Sequence, residues 1–362
     1  MKVAIVSRSW FTDTRGGAER YIFELANGLI NLGHEIVTVS RQNSDLKNEH
    51  IKVWSPTVSI LGSAIFSLLG AQKVRKHEAS VVVINQYWAE MASLYLDVPS
   101  IIILHDVGLF DSAIAQESRV KHFLRQRILR RVVRKAARII VPSRLTYESL
   151  LHHLSVPREK ISMIPEGVDL HLFKPIDREP SDSIILCTGR FSPNKGRLLL
   201  IEAFKELSRR SGWRGELYLV GYLAEREREY FNKLKSLADD RIKVVTDVTD
   251  EELSGFYQKA DICVFPSVSD EGWGLTVVEA FASGVPVVCS DIFEETGVAT
   301  RERALIFPRG DIEGLTEAIE TMIRNPGLRR RLALRGLEYA QTLSWEKMVE
   351  EVEGIIYEVG SG

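Results

Sequence analysis

The sequence predicts an α/β protein built as two Rossmann-like, doubly wound domains. Three observations carry that prediction. Strand-like apolar runs alternate with helix-like runs almost throughout the chain, the pattern of parallel sheets wound with helices. A length of 362 residues exceeds one ordinary core and suits two. Charge also divides the chain, because residues 1–175 carry 23 Lys/Arg against 16 Asp/Glu and residues 176–362 carry 24 against 33. Any anionic surface or acceptor should therefore favour the basic first half.

Taken in order, the first half offers strands at Lys2–Ser7, Glu35–Ser40, Val81–Asn85, Ser100–His105 and Arg138–Pro142, with a shorter run at Ile161–Pro165. Ala18–Leu32 places Tyr21, Ile22, Leu25, Leu29 and Ile30 at helical spacing and stops at Gly33, a left-handed helix end. The Pro-, Asp- and Ser-rich stretch Pro175–Asp182 reads as a linker and sets the expected domains at 1–174 and 175–343. The second series has strands at Ser183–Gly189, Glu216–Val220, Ile242–Val245, Ile262–Phe265, Val285–Cys289 and Ala304–Phe307. Its helices are Gly196–Ser211, Ala224–Ala238, Thr249–Lys259, Leu275–Ala282 and Asp311–Arg324. A last helix begins at the Ser344 cap, with Trp345, Met348, Val349, Val352, Ile355 and Ile356 apolar. The chain contains no internal repeat or low-complexity tract.

Cys187, Cys263 and Cys289 each sit inside an apolar, strand-like run, the pattern of reduced core thiols. The expected compartment is the cytoplasm. Nothing between Lys52 and Lys73 is charged, but the apolar core Val58–Ala71 is shorter than the ~20 residues of a spanning helix. Ile60, Leu61, Ala64, Ile65, Leu68 and Leu69 recur there at helical spacing; core packing is the default expectation and a lipid-facing or hydrophobic-acceptor surface the rival. Arg119–Arg138 holds nine Lys/Arg and no acid around an apolar stripe of Val120, Phe123, Leu124, Ile128 and Val132. It fits a core-packed helix with a solvated basic face, or a helix lying on an anionic membrane.

Chemistry concentrates where strands give way to helices, the edge at which doubly wound sheets bind ligands. Pro266–Ala280 follows a buried strand and opens a helix, with Gly272 and Gly274 between the carboxylates Glu271 and Glu279. Such a turn aims free N–H groups and a helix dipole at an anion. The two glutamates fit acid/base roles, contacts to sugar hydroxyls, or a cap and a solvated face. Gly189-Arg190-Phe191-Ser192-Pro193-Asn194-Lys195-Gly196 ends another strand. Its two cations could face a diphosphate or be solvated loop charges, with Gly196 admitting a close backbone approach. Gly16-Gly17-Ala18-Glu19 opens the first helix and reads as a ligand-approach loop or a packing turn. His105-Asp106 ends a strand, with His105 a sugar-hydroxyl partner or a satisfied structural histidine. No G-x-G-x-x-G follows the first strand, which argues against a Rossmann oxidoreductase.

Together these residues resemble the retaining glycosyltransferases of family 4, which have the GT-B fold. Glu271-x7-Glu279 is similar to that family's E-x7-E signature, with Pro266-Ser267 before it and Ala282-Ser283-Gly284-Val285-Pro286-Val287-Val288 after it. Gly189-Arg190-Phe191 with Lys195-Gly196 resembles its diphosphate turn, and Ile164–Asp169 the segment before its linker. Gly16-Gly17-Ala18-Glu19 and His105-Asp106 resemble its two N-domain loops. The resemblance implies two domains facing a central cleft. The first (1–174) binds an acceptor, the second (175–343) a nucleotide-sugar donor, and a final helix, 344–362, crosses back. It further implies that Arg190 and Lys195 hold the donor diphosphate, that Glu279 binds the ribose, and that Glu271 and His105 contact the transferred hexose. Gly16, Gly17, Asp106, Gly272, Trp273, Gly274 and Leu275 complete the substrate contacts it implies. No D-x-D occurs, in keeping with a family that dispenses with metal, so no metal cofactor is expected. The segment Asp291–Gly297 departs from the family's Gly-rich pattern at that point.

The expected reaction is retaining transfer of a hexosyl unit to a hydroxyl of a sugar, lipid or small molecule. The rivals are a GT-B-fold sugar-nucleotide epimerase and a non-catalytic nucleotide-sugar-binding protein. Expected partners are the nucleotide sugar, the acceptor and an anionic membrane face through Arg119–Arg138, with no nucleic acid.

Overall fold

The computed structural model describes residues 1–10, 16–42, 46, 48–56, 60–85, 88–106, 119–178, 184–269 and 271–361. Residues 58–59, 179–183 and 270, on which parts of the expected helix, linker, strand and turn fall, lie outside the described set. The chain divides into two compact units: Met1–Gly167 with Trp345–Gly362, and Val168–Ser344. The division therefore comes at Gly167, ahead of the Pro175–Asp182 stretch.

The first unit's sheet is parallel, in the order β3-β2-β1-β4-β5-β6-β7. Its strands are β1 (Lys2–Val6), β2 (Glu35–Ser40), β3 (Glu49–Lys52), β4 (Val81–Asn85), β5 (Ser100–Ile103), β6 (Arg138–Val141) and β7 (Ile161–Met163). The central strands β1 and β4 are buried almost end to end, as strands covered on both faces must be. Strand β3, Glu-His-Ile-Lys, carries no apolar run and no sequence signal. It forms because the open edge of β2 supplies pairing partners from Val37 to Ser40.

Helices α1 (Gly17–Asn31), α2 (Ile60–Arg75), α3 (Arg119–Lys135) and α4 (Arg144–Leu154) connect these strands. Two of them turn a face that the sequence did not predict. In α2 the expected core stripe points outward, with Leu61 68% exposed and Leu68 and Leu69 also exposed, whereas Ser63, Phe66, Ser67 and Ala71 are buried. Small residues allow the reason. Gly62 sits so close to Pro56 that a Cβ would meet its carbonyl oxygen at 2.5 Å, and Ser67 donates to the Trp88 carbonyl at 3.0 Å. Gly62 and Ser67 thus make the close approaches to Pro56 and Trp88, Phe66 fills the core, and the leucines are left outside. In α3 the stripe splits: Val132 is buried beside Leu129 and Val133 and Ile128 is half-buried, while Val120, Phe123 and Leu124 are exposed. Arg127, Arg130, Arg131 and Arg134 continue that exposed face.

The second unit's parallel sheet runs β10-β9-β8-β11-β12-β13. It is made of β8 (Ile184–Thr188), β9 (Glu216–Gly221), β10 (Ile242–Thr246), β11 (Ile262–Phe265), β12 (Val287–Ser290) and β13 (Ala304–Phe307). Helices α5 (Arg197–Ser211), α6 (Arg228–Leu237), α7 (Asp250–Lys259), α8 (Leu275–Ala282), α9 (Ile292–Thr296), α10 (Ile312–Arg324) and α11 (Pro326–Ala340) wind it. Thr249 and Glu252 close a reciprocal capping box on α7, which stops two orphan N–H groups from going unsatisfied. The last helix, α12 (Trp345–Gly360), belongs to the first unit. It lies against α1 at Gly28, where a Cβ would meet Val349 at 2.5 Å, and Glu353 reaches His34 Nε2 at 2.6 Å. Among the described residues no helix is long and apolar enough to cross a membrane.

Candidate active site

In both sheets the strand order reverses once, between β1 and β4 and between β8 and β11. Ligands of doubly wound sheets bind at the carboxyl ends of the strands flanking such a reversal. The sequence-predicted residues follow those strands: Gly16 and Gly17 come after β1, and Arg190 and Lys195 after β8. Glu271 through Glu279 come after β11.

In the second unit the two loops are joined. Val268 donates its N–H to the Asn194 carbonyl at 2.8 Å, and Asn194 Nδ2 donates to the Ser269 carbonyl at 3.2 Å. Gly196 has φ +64° and a Cβ there would stand 1.9 Å from the Pro266 carbonyl oxygen. Its missing side chain is thus needed for loop against loop. Lys195 Nζ donates to Glu271 Oε1 at 2.7 Å, and Ser267 Oγ donates to the same oxygen at 2.5 Å. Glu271 is buried, so this pair is shielded from bulk water and costs more to separate than a surface pair.

Glu279 is buried one turn inside α8. The Tyr257 hydroxyl donates to its Oε2 at 2.9 Å and shares a 2.6 Å hydrogen bond with Thr188 Oγ1. Burial, and then the Glu279 charge, hold the Tyr257 phenol well above its usual range, so it stays a hydrogen-bond donor. Between the glutamates, Gly274 has φ +121° and lies where a Cβ would meet the Phe293 ring at 2.9 Å. No side chain caps α8, which leaves its amino end to an outside anion. Trp273 is buried, whereas Gly272 and Leu275 are half-buried. Arg190 is 40% exposed, with Nε 3.7 Å from Glu227 Oε1.

One residue that sequence reasoning missed holds this edge in shape. Arg197 is fully buried; its Nη1 donates to the Arg190 carbonyl at 2.7 Å, and its Nη2 donates to those of Gly189 at 2.6 Å and Val220 at 3.1 Å. Its guanidinium also covers the Phe191 ring at 4.1 Å. A signal existed, since a cation at the first position of a helix opposes the macrodipole and so calls for another reason to be there.

In the first unit His105 is buried against Tyr21, edge to face at 5.1 Å. Its Nε2 lies 2.9 Å from Asn85 Oδ1 and its Nδ1 3.4 Å from Glu166 Oε1. Asn85 Nδ2 donates at 3.3 Å to both Ser7 Oγ and the Ala18 carbonyl. Its Oδ1 is therefore the acceptor, and His105 carries a proton on Nε2. Glu166 also stands under Gly17, with its Oε2 3.2 Å from where a Cβ would be. Gly16 fits over Glu19, whose carboxylate accepts from Ser9 Oγ at 2.8 Å. Burial raises the Glu19 carboxyl, the Ser9 hydrogen bond opposes that, and Asp106 adds a small upward push. Asp106 itself is half-buried.

Residues 171–338 match the family model described as glycosyl transferases group 1, and residues 15–172 match the model of glycosyltransferase family 4. The chain is a family 4 glycosyltransferase. The transferase is 26% identical over 375 residues to a D-inositol 3-phosphate glycosyltransferase of Pseudarthrobacter chlorophenolicus, covering 92% of this chain and 88% of that one. Among solved structures it superposes on a sucrose-phosphate synthase from Thermosynechococcus elongatus with a TM-score of 0.86, at 21% identity over 99% of both chains. Anabaena Alr3699/HepE, solved in complex with UDP and glucose, gives 0.80 at 18% identity, over 99% of this chain and 100% of that one. At such identities the likeness establishes the GT-B fold of the transferase. The buried partners Asn85, Glu166 and Tyr257 escaped the sequence reading because each touches its site from a distant part of the chain: a strand, the segment after β7 and a helix.

Proposed function

We propose that this transferase moves a hexosyl unit from a nucleoside-diphosphate sugar to an acceptor hydroxyl, with retention at the anomeric carbon. The observation that carries the reading is the Lys195 ammonium, held 2.7 Å from buried Glu271 four residues before the uncapped start of α8. A diphosphate would meet a guanidinium, an ammonium and helix N–H groups there, and these stabilise the charge that grows as the leaving group departs. Arg190 and Lys195 hold the diphosphate in this reading, and Glu279 grips the ribose from its Tyr257 support. Glu271 and His105 bind the sugar, with Gly16, Gly17 and Asp106 at the first unit's edge and Gly272, Trp273, Gly274 and Leu275 lining the turn.

Retention is favoured by how the carboxylates are engaged. Glu271 accepts from Lys195 and Ser267, and Glu279 accepts from Tyr257; in this reading both grip hydroxyls, and neither acts as the general base of an inverting attack or as a nucleophile. The departing phosphate then takes the acceptor proton on the same face. The two cations and the helix end supply the positive charge that a divalent ion supplies elsewhere, and we propose that no metal is needed. The relatives named for D-inositol 3-phosphate motivate a hydroxylated small-molecule acceptor.

The test is protection against heat by UDP-, GDP- and ADP-sugars in chelator, followed by NMR of the anomeric proton in the product. One nucleotide sugar should raise the Tm, and the product should keep the donor's configuration. An inverted product, or no protection by any of them, would sink the reading.

We further propose a cytoplasmic enzyme that touches an anionic membrane, a reading supported by the outer faces of α2 and α3. Exposed Val120, Phe123 and Leu124 share α3 with its arginines, and α2 exposes Leu61 and Leu68, a combination that suits acyl chains with anionic headgroups. Co-sedimentation with phosphatidylglycerol vesicles, weakened by salt, is expected; equal recovery with neutral vesicles would refute it.

A further inference from the structure

A second cluster of cations occupies the carboxyl edge of the first unit's sheet. Arg8 lies two residues past β1 and Arg41 directly past β2, and these strands are parallel neighbours. Arg8 Nη1 donates to Ser63 Oγ at 2.8 Å. Arg125 reaches the same region from α3, its guanidinium 5.1 Å from the centre of the Trp88 ring. Trp88 and Glu90 follow β4, the other neighbour of β1. The Glu90 carboxyl is buried within electrostatic reach of both Arg125 and Arg8. Burial lowers the Arg8 pKa and the like charge of Arg41 lowers it further, while the Glu90 charge opposes both. The Arg41 Nε is shielded from solvent and hydrogen-bonds nothing among the described residues.

Like charges drawn together at a partly buried edge repel unless anions lie between them, and the single Glu90 carboxylate offsets at most one of the three. Neutral sugar hydroxyls do not call for three guanidiniums, since amides and carboxylates bind them without that repulsion. A phosphate group does: its charged terminal oxygens match the planar two-pronged donor geometry of arginine.

We propose that the acceptor carries a phosphate group and that Arg8, Arg41 and Arg125 hold it at this edge, beside Ser63. This rests on the transferase reading, with the first unit binding the acceptor. The phosphate can belong to a soluble sugar or polyol phosphate or to a phospholipid headgroup. The exposed leucines on the outer face of α2, the helix that carries Ser63, are compatible with either source.

The experiment measures binding with saturating UDP present, so that the second unit's cations are occupied. Glucose 6-phosphate, glucose and inorganic phosphate are compared by calorimetry, and vesicles of phosphatidylcholine with or without phosphatidylinositol by co-sedimentation. The inference expects glucose 6-phosphate or the phosphatidylinositol vesicles to bind where glucose and plain vesicles do not. The half-exposed substitution Arg41→Gln and the buried Arg125→Met should each weaken that binding about tenfold or more. Both variants should keep the protection that UDP gives against heat, which shows that they are folded. Binding through glucose 6-phosphate identifies a soluble acceptor, and binding through vesicles alone identifies a lipid one. Absence of both, or binding that survives both substitutions unchanged, overturns the inference. Failure of UDP to protect the wild type would instead count against the transferase reading.

Discussion

At the carboxyl edge of its sheet the second unit closes its polar side chains onto one another. Lys195, Ser267 and Glu271 form one such set, Thr188, Tyr257 and Glu279 another, and Arg197 ties three carbonyls of the loops beneath. The first unit does the reverse with its cations: it sets Arg8 and Arg41 past neighbouring parallel strands, with Glu90 the carboxylate that opposes their repulsion. It also turns leucines and a phenylalanine of α2 and α3 to solvent. The difference teaches what each edge is built for. Groups positioned before a ligand arrives lose little freedom on binding and suit one invariant ligand. An edge that stores repulsion and exposes apolar surface is completed by what binds to it.

Four substitutions test that contrast. The largest effect is expected inside the first unit, where Phe66→Ala should cost about 3–5 kcal/mol of stability by denaturant unfolding. This follows from Phe66 being the fully buried side of α2; a loss under 1 kcal/mol would mean that the helix faces are assigned wrongly. Lys195→Ala should come next, lowering kcat by ~10²-fold or more, the scale of losing one charge stabiliser. Near-normal turnover would remove Lys195 from the chemistry.

A smaller effect belongs to Glu19→Gln. Burial raises the Glu19 carboxyl in the folded state, so the stability it contributes is present below the ordinary carboxylate pKa of about 4.3. That contribution is lost as the pH rises through the raised value. The Tm of the variant relative to wild type should therefore grow between pH 4 and pH 8, and a constant difference would contradict the assignment. The smallest effect is expected for Leu68→Ser, on the exposed face of the helix that buries Phe66. Its stability should stay within about 0.5 kcal/mol of wild type.

Much of the fold was legible because parallel strands buried on both faces are written as apolar runs, such as Val81–Asn85 and Ile262–Phe265. The turns at Gly189–Gly196 and Gly272–Glu279 were legible because glycine and charge at a strand end are local features. Strand β3 was not, since its residues pair only because β2 offers an edge. The α2 helix was legible as a helix, yet its buried face was misread. Periodicity reports where apolar residues lie, and here the close approaches to Pro56 and to the Trp88 carbonyl are made by Gly62 and Ser67.

Periodicity and strand composition pointed, from sequence alone, to two α/β units, and the ordered glycine, cation and glutamate motifs carried the resemblance to family 4 glycosyltransferases that the family matches bear out. Only the tertiary structure decided that Gly196 serves a loop contact and that Tyr257 holds Glu279. It also decided that Arg197 braces the Arg190 loop, that α2 faces outward with its leucines, and that three distant arginines gather at one sheet edge. The physical reason is common to all of these. Each depends on atoms from strands and helices far apart in the chain, whose proximity is set by how the sheet orders its strands and how closely its helices pack.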